Sequence, residues 1–332
     1  MKRISTLFLT LALTLSLAAC AAPDEKADDG RLQIVATLFP YYDFARAIAG
    51  GRADVTLLLS PGREAHSFEP TPLDAVTISE ADVFLYNGGE GEYWVEEMLD
   101  AAGEHIAVKA RMMDYVDALG EEFSEGMQGA DEHGHDHDHD DHDHDHEEDE
   151  HDSDEIEYDE HIWTAPKNAA ILCRAVCEAI CKADPANEDF YRANCDDYCA
   201  QIEALDARFA DLCESAPRKL LVFADRFPML YFCREYGLDY RAAFHGCSGD
   251  TEPSLATIKF LIDKVEDENI PVVYTIDFGT KKVAAVVSEC TGAAIETIYS
   301  MQTVSRADFD AGETYLTLME QNFEALRKGL NE

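Results

Sequence analysis

Basic residues are scarce in this chain of 332 residues, which has 26 lysines and arginines against 68 aspartates and glutamates. The formal net charge of −42 would repel a phosphate backbone, so we exclude nucleic acid as a partner. An acidic surface favours cations as ligands instead. After Leu17 the sequence also lacks any apolar run long enough to span a membrane.

Several motifs of catalysis and of cysteine-bound zinc are missing as well. The sequence contains no HExxH, no GxSxG and no phosphate-binding glycine loop, which argues against an enzyme. It has ten cysteines but no CxxC pair. Cys173, Cys177 and Cys181 repeat at four-residue spacing, as do Cys195 and Cys199. We interpret these cysteines mostly as small buried residues, with a few disulfide bridges, rather than as a metal site.

The N-terminus has the features of an export signal. Two basic residues precede an apolar run from Ile4 to Leu17, which is too short to span a membrane. The run closes with Leu17-Ala18-Ala19-Cys20, which resembles a bacterial lipobox. Residues 1–19 are therefore predicted to be a lipoprotein signal peptide and residues 20–30 a lipidated tether. The expected location is extracytoplasmic, with a lipid on Cys20 anchoring the protein to the bacterial cell membrane.

Residues 131–160 form a tract of histidine and carboxylate without a lysine or arginine. Such a stretch cannot bury apolar surface, so a disordered loop is expected. Neutral imidazole offers a nitrogen lone pair, and the interleaved carboxylates attract cations. We predict a metal-collecting loop, with zinc ahead of copper or nickel. Its histidines are His133, His135, His137, His139, His142, His144, His146 and His151.

The rest of the chain alternates strand and helix patterns, which predicts an α/β fold with parallel sheets flanked by helices. An apolar stripe over about Glu188–Ser215 predicts one long helix. We expect an N-terminal lobe over 31–185, a linking helix over 186–216 and a C-terminal lobe over 217–332. The predicted strands are Leu32–Thr37, Val55–Leu59, Val83–Tyr86, Leu220–Ala224, Tyr240–Phe244, Val272–Ile276 and Ala294–Ile298.

Five segments of the chain resemble one known family. They are Pro61–Pro72, Asp159–Pro166, Tyr236-Gly237-Leu238, Glu252-Pro253-Ser254 and Tyr315–Asn322. Together they are similar to the metal-specific class of ABC-transporter substrate-binding lipoproteins, the ZnuA-like zinc-uptake proteins. The resemblance implies a monomer with two lobes joined by a long helix. It also implies that zinc is captured in a cleft between the lobes and delivered to an ABC permease and its ATPase.

The resemblance supplies two zinc ligands and leaves two positions without one. His66 and His161 fall in the family's first two ligand motifs. At the third position the sequence has Arg226, which cannot be deprotonated to bind a metal. At the fourth it has Tyr299 or Ser300, and neither is a good substitute for a carboxylate.

Three further residues are candidates to complete the site. His245 follows a predicted strand in the second lobe, Asp225 follows another, and Glu252 lies in the next loop. Loops at the carboxyl ends of parallel strands are where open sheets bind ligands. The lone His105 is assigned no metal-binding role.

Other functions stay open at this point. Manganese is an alternative cargo, although three histidines and one oxygen favour zinc. A metal-storage lipoprotein or adhesin would make the histidine tract the functional part. A zinc-dependent surface hydrolase would hold zinc on His66 and His161, with Glu64 or Glu69 as the general base.

Overall fold

The computed structural model describes residues 30–63, 68–102, 106–128, 157–246 and 252–331. The predicted signal peptide, Cys20 and the tether up to residue 29 lie outside the described residues. So do His66, His105 and all eight histidines of the tract. Among the described helices, none combines the length and the apolar character needed to cross a membrane.

The first half of the chain forms a parallel four-stranded sheet in the order β2-β1-β3-β4. Helices between consecutive strands cover it, as parallel connections require. Its strands are β1 (Leu32–Ala36), β2 (Ala53–Leu57), β3 (Val83–Tyr86) and β4 (Val108–Arg111), and its helices are α1 (Phe39–Ala49), α2 (Pro72–Ser79) and α3 (Trp94–Ala102).

A second parallel sheet, in the order β6-β5-β7-β8, repeats the topology of the first. The predicted α/β architecture with two parallel sheets is thus confirmed. Its strands are β5 (Leu220–Phe227), β6 (Asp239–His245), β7 (Val272–Ile276) and β8 (Ala294–Ile298), and its helices are α6 (Leu230–Tyr236), α7 (Leu255–Asp267), α8 (Lys282–Thr291), α9 (Arg306–Ala311) and α10 (Tyr315–Asn331).

Along the chain, helices α4 (Pro166–Ala183) and α5 (Glu188–Ser215) follow the first sheet and precede the second. Pro166 occupies the first turn of α4, where its missing N–H costs nothing. The apolar stripe of α5 is buried, as its spacing predicts.

All eight cysteines of the described residues are free thiols, and only Cys290 is exposed. The predicted burial of cysteines is therefore confirmed for seven of them, and no disulfide forms within the described residues.

The chain leaves the first lobe after β4 and packs against the second. The backbone N–H of Gln128 donates to the carbonyl of Ala243 in β6 (3.0 Å), and that of Leu119 donates to the Tyr231 hydroxyl (3.0 Å). Described residues resume at 157, where Gly120 and Tyr158 form an antiparallel bridge. The prediction of disorder across 131–160 therefore does not hold for residues 157–160, because this bridge and the burial of the next two residues fix them in place.

A buried carboxylate joins three helices at the centre of the molecule. Asp43 in α1 is fully buried and accepts from the Tyr198 hydroxyl of α5 (2.5 Å) and the Tyr315 N–H of α10 (2.9 Å). Arg46 donates to its other oxygen at 2.9 Å. A buried charge is tolerated only when it is paired and hydrogen-bonded in this way.

Replacement of Asp43 by alanine is expected to destabilise the fold. The substitution leaves the buried Tyr198 hydroxyl and Tyr315 N–H without their acceptor, which we expect to cost about 3–5 kcal/mol of unfolding free energy. Denaturant unfolding followed by circular dichroism measures the change. Asp196→Ala, on the exposed face of α5, is the matched control and should alter stability by less than about 0.5 kcal/mol. Equal losses in both variants would contradict a structural role for Asp43.

Candidate metal centre

The connectivity of each sheet creates a crevice at one edge. From β1 the chain moves to β2 on one side and to β3 on the other, and β5 is placed in the same way between β6 and β7. Ligands bind at such switch points, beyond the carboxyl ends of the strands. The side chains that follow β1 and β3, and those that follow β5 and β7, are therefore where a site is expected.

His161 lies in a buried segment just before α4. Its imidazole is 2% exposed and contacts the edge of the Trp163 ring, with centroids 5.7 Å apart. Asp159 Oδ1 accepts from the His161 backbone N–H (2.8 Å) and lies 3.2 Å from its Nδ1. A carboxylate on one ring nitrogen fixes the tautomer that presents the other nitrogen to a metal.

Burial and charge act in opposite directions on His161. Burial disfavours the imidazolium, but Asp159, Glu160 and Glu121 together outweigh it and raise the pKa of His161. This concentration of carboxylates attracts a proton and would attract a metal ion for the same reason. Proton and metal therefore compete for this imidazole.

The second lobe meets His161 at the end of β6. Gly246 approaches so closely that a Cβ there would lie 3.0 Å from His161 Cε1 and 2.9 Å from the Phe227 carbonyl oxygen, so glycine is required. The preceding residue, His245, is half-buried, and its Nδ1 lies 2.7 Å from Glu121 Oε2. The adjacent Glu121 carboxylate raises the pKa of His245. The fold thus brings Gly246, the neighbour of His245, against the His161 ring, and a ligand role for His245 stays a prediction.

Two clefts are lined in part by the residues just before His161. The first contains two carboxylates. Glu160 accepts from the Gly91 N–H (2.6 Å), and Glu92 accepts from the Gly88 N–H (2.8 Å). Burial raises the pKa of Glu92 to about 7. This cleft is lined by Thr37, Leu38, Leu59, Phe68, Gly91, Glu92, Trp94, Glu160 and Gln302. The second cleft is lined by Glu121, Glu122, Asp159, Phe227, Leu230, Tyr240, His245 and Gly246.

Asp225 is held within the second lobe. Its Oδ2 accepts from the Thr275 hydroxyl (2.6 Å) and the Ile276 N–H (3.3 Å), and its Oδ1 from the Arg226 N–H (2.9 Å). A bulge between Phe223 and Arg226 shifts the β5–β6 register at this point. Its carboxylate is thus engaged with β7, and a ligand role for Asp225 stays a prediction.

Glu252 and His66 stay predictions for different reasons. Glu252 is largely exposed and lies 3.4 Å from Lys282 Nζ. His66 is outside the described residues, but the residues on either side of that gap are informative. The Gly62 N–H donates to the Val304 carbonyl (2.8 Å), and the buried Phe68 packs on Trp94 with centroids 5.1 Å apart. Phe68 also lines the first cleft.

The carboxylates that contact the two histidines were not predicted from the sequence. Glu121 contacts His245, and Asp159 contacts His161. Asp159 lies within the second family-like motif and could have been found as a partner of the histidine two residues later. Glu121 lies in an acidic stretch with no distinguishing pattern, so only the fold reveals it. Imidazole nitrogens supported by carboxylates form the donor set that proteins use for zinc.

Comparison with known proteins identifies relatives that are named for zinc uptake and zinc binding. A family model described as "Zinc-uptake complex component A periplasmic" matches residues 34–329. The chain is 32% identical to the "High-affinity zinc uptake system protein ZnuA" of Bacillus subtilis, over 99% of this chain and 98% of that protein. It is 30% identical to the "Zinc-binding lipoprotein AdcA" of Streptococcus pneumoniae and spans 61% of that longer protein.

Solved structures of similar fold are also metal-binding proteins. The Zn(II)-bound ZnuA-like domain of Streptococcus pneumoniae AdcA superposes with a TM-score of 0.71 at 25% identity, covering 91% of this chain and all of that one. The metal-dependent lipoprotein YcdH of Bacillus subtilis gives a TM-score of 0.72 at 28% identity, over 90% of this chain and 100% of that one. With the family model matching nearly the whole described fold, the chain belongs to the zinc-uptake complex component A family, the ZnuA-like proteins.

Proposed function

We propose that this protein captures zinc outside the cytoplasmic membrane and delivers it to an ABC permease for uptake. The observation that carries the proposal is His161, buried between the lobes beside Asp159 and against Gly246. A buried imidazole at a switch point, oriented by a carboxylate, is suited to hold one zinc ion. Membership of a family of metal-binding proteins supports the same function rather than catalysis.

His66, His161 and His245 are the proposed zinc ligands, with a carboxylate or water completing the coordination. The raised pKa of His245 beside Glu121, and of His161 beside Asp159, identifies both imidazoles as positions where positive charge is stabilised. Glu121 joins Asp225 and Glu252 as a candidate oxygen donor, since it already contacts His245. Harder oxygen donors alone would favour manganese, whereas nitrogen donors favour zinc.

The described residues that flank the histidine tract lie beside elements of this site. The Gln128 N–H donates to the Ala243 carbonyl of β6, two residues before His245, and the Glu157 carbonyl accepts from the Glu121 N–H at 2.8 Å. Glu121 in turn contacts His245. An ion held weakly by the tract would be released next to the fixed site. We infer that the tract raises the local zinc concentration and that the fixed site takes one ion.

The remaining parts of the proposal concern the setting of the protein. A lipid on Cys20 would tether it to the membrane surface, where a permease and its ATPase receive the ion. We propose that the protein acts as a monomer, as its resemblance to the family implies. Cys20→Ala should release the protein from the membrane without changing its zinc affinity.

Zinc titration of the exported chain lacking residues 133–151 tests the fixed site. We expect one tightly bound ion per chain when zinc is titrated against a competing chelator. His161→Ala should weaken that binding by at least about a hundredfold, because removing even a supporting residue of a zinc ligand costs about 10–100-fold. Calorimetry and native mass spectrometry count the ions.

His105→Ala is the matched control and should bind zinc like the parent chain. No tight ion in the shortened chain would contradict a fixed site and would assign zinc binding to the tract alone. Turnover of ester or peptide substrates would favour the hydrolase instead.

Zinc affinity should depend on pH in the direction set by the histidines. Zinc needs neutral imidazole, and both pKa values lie above the ordinary value of about 6.5. Affinity should therefore be highest above those raised pKa values and should fall as pH decreases through them, by about tenfold per pH unit for each histidine. Chelator competition across about pH 5 to 8 measures the profile.

Glu121→Gln is the informative variant for this profile. It removes the carboxylate that raises the pKa of His245, so the affinity loss should begin at a lower pH. A profile without any pH dependence in this range would contradict histidine ligation.

A further inference from the structure

Helices α4 and α5 bury a cluster of thiols that zinc capture in the cleft does not use. The sulfur atoms of Cys173, Cys195 and Cys199 all lie within 4.8 Å of one another. The exposed fractions of these residues are 0%, 3% and 1%. One thiol comes from α4 and two come from α5, so the cluster forms only when the two helices pack.

The spacing of the sulfurs suits a shared metal ion. Cys195 Sγ and Cys199 Sγ are 3.8 Å apart. Two sulfurs bound to one ion at about 2.3 Å are separated by about 3.8 Å in tetrahedral and about 4.0 Å in trigonal geometry. The i, i+4 spacing on one helix thus already has the separation of two ligands. Cys173 needs to move by about 1 Å or less to complete a three-sulfur site.

The surroundings provide few better partners for the thiols. Cys195 and Cys199 point to the carbonyls of Cys173 (3.8 Å) and Ala170 (3.7 Å), which are long contacts for weak donors. The guanidinium of Arg174 donates to the same Ala170 carbonyl at 3.3 Å. Its positive charge therefore lies close to the cluster.

Two simpler explanations of the cluster are weaker. Buried cysteine often acts as a small apolar residue, as Cys213 and Cys233 do here as single buried thiols. Apolar packing does not require three sulfurs to converge on one point from two helices. A disulfide requires the two sulfurs to be bonded at about 2.05 Å, and all three of these cysteines are free.

We propose that Cys173, Cys195 and Cys199 bind one thiophilic d¹⁰ cation, either zinc or monovalent copper, at a site separate from the interlobe cleft. Binding replaces three S–H protons by three metal–sulfur bonds, and the protons are released to solvent. No electron is transferred. Because the site is buried, the ion enters while α4 and α5 pack, and it then holds the two helices together. Cys177, one helical turn after Cys173 on α4, is a candidate source of a fourth sulfur.

Cobalt substitution tests the site. The exported chain is refolded without oxygen, with a reductant and one equivalent of Co²⁺, in a background that lacks residues 133–151 and carries His161→Ala. We expect a thiolate-to-cobalt charge-transfer band and one cobalt ion per chain in native mass spectra. Cys195→Ala should abolish both. Cys213→Ala, which removes another buried thiol of α5, should retain both.

A second variant and a competition assay complete the test. Cys199→Ser keeps the volume of the side chain and should also remove the charge-transfer band, even if Cys195→Ala folds poorly. Displacement of cobalt by zinc or by monovalent copper, each buffered by a competing chelator, identifies the preferred ion.

The proposal is overturned if no thiolate band appears, or if the band survives both cysteine substitutions. A Cys173–Cys195 disulfide in the exported protein, with no cobalt bound after reduction, would also overturn it. Loss of zinc binding in the cleft alone would test the proposed uptake function and leave this site unaffected.

Discussion

Hydrogen bonds from the buried segment Asp159–Thr164 link the two lobes of the molecule. Trp163 donates from its indole to the Ser300 carbonyl (2.8 Å), and its own carbonyl accepts from the Tyr315 hydroxyl (2.9 Å). The Asp159 carbonyl accepts from Tyr231 at 2.8 Å. These bonds tie one short segment of the first lobe to three elements of the second. His161 is held between the lobes because both of its flanks are fixed.

This arrangement bears on how an ion is captured. The apolar core is continuous across α1, α4, α5 and the second sheet, so the lobes share packed surface besides the hydrogen bonds of Trp163. Large separation of the lobes would expose that surface, which is costly at about 25 cal/mol per Å². Small movements of loops are cheaper than a wide hinge opening. The described loops at the cleft are where such movement is least costly.

The acidic character of the chain acts locally as well as globally. Around His161 and His245 the carboxylates of Glu121 and Asp159 raise both imidazole pKa values. The same carboxylates that retain a proton on the imidazoles also favour a divalent metal ion. When the metal binds, it replaces the protons, so the carboxylates always have a positive partner. The thiol cluster between α4 and α5 has a different chemistry, with soft sulfur donors away from these carboxylates.

Many of the strands, the long helix and the family could be predicted from the sequence alone. Val83–Tyr86, Glu188–Ser215, Val272–Ile276 and Ala294–Ile298 have the predicted bounds in the structure, because apolar periodicity is a local property. Short helices such as α9 were missed because six residues carry too little of that pattern. His161 was found because its motif is contiguous.

Which side chains contact each other across the molecule became known only from the folded arrangement. It placed Glu121 beside His245, set Gly246 against His161, and engaged Asp225 with β7 through a bulge in β5. It also converted two separate rows of cysteines, which the sequence suggested were simple core residues, into one cluster. Contacts of this kind join residues that are distant in the chain. They depend on how strands and helices pack rather than on any local spacing, and so they leave no pattern in the sequence.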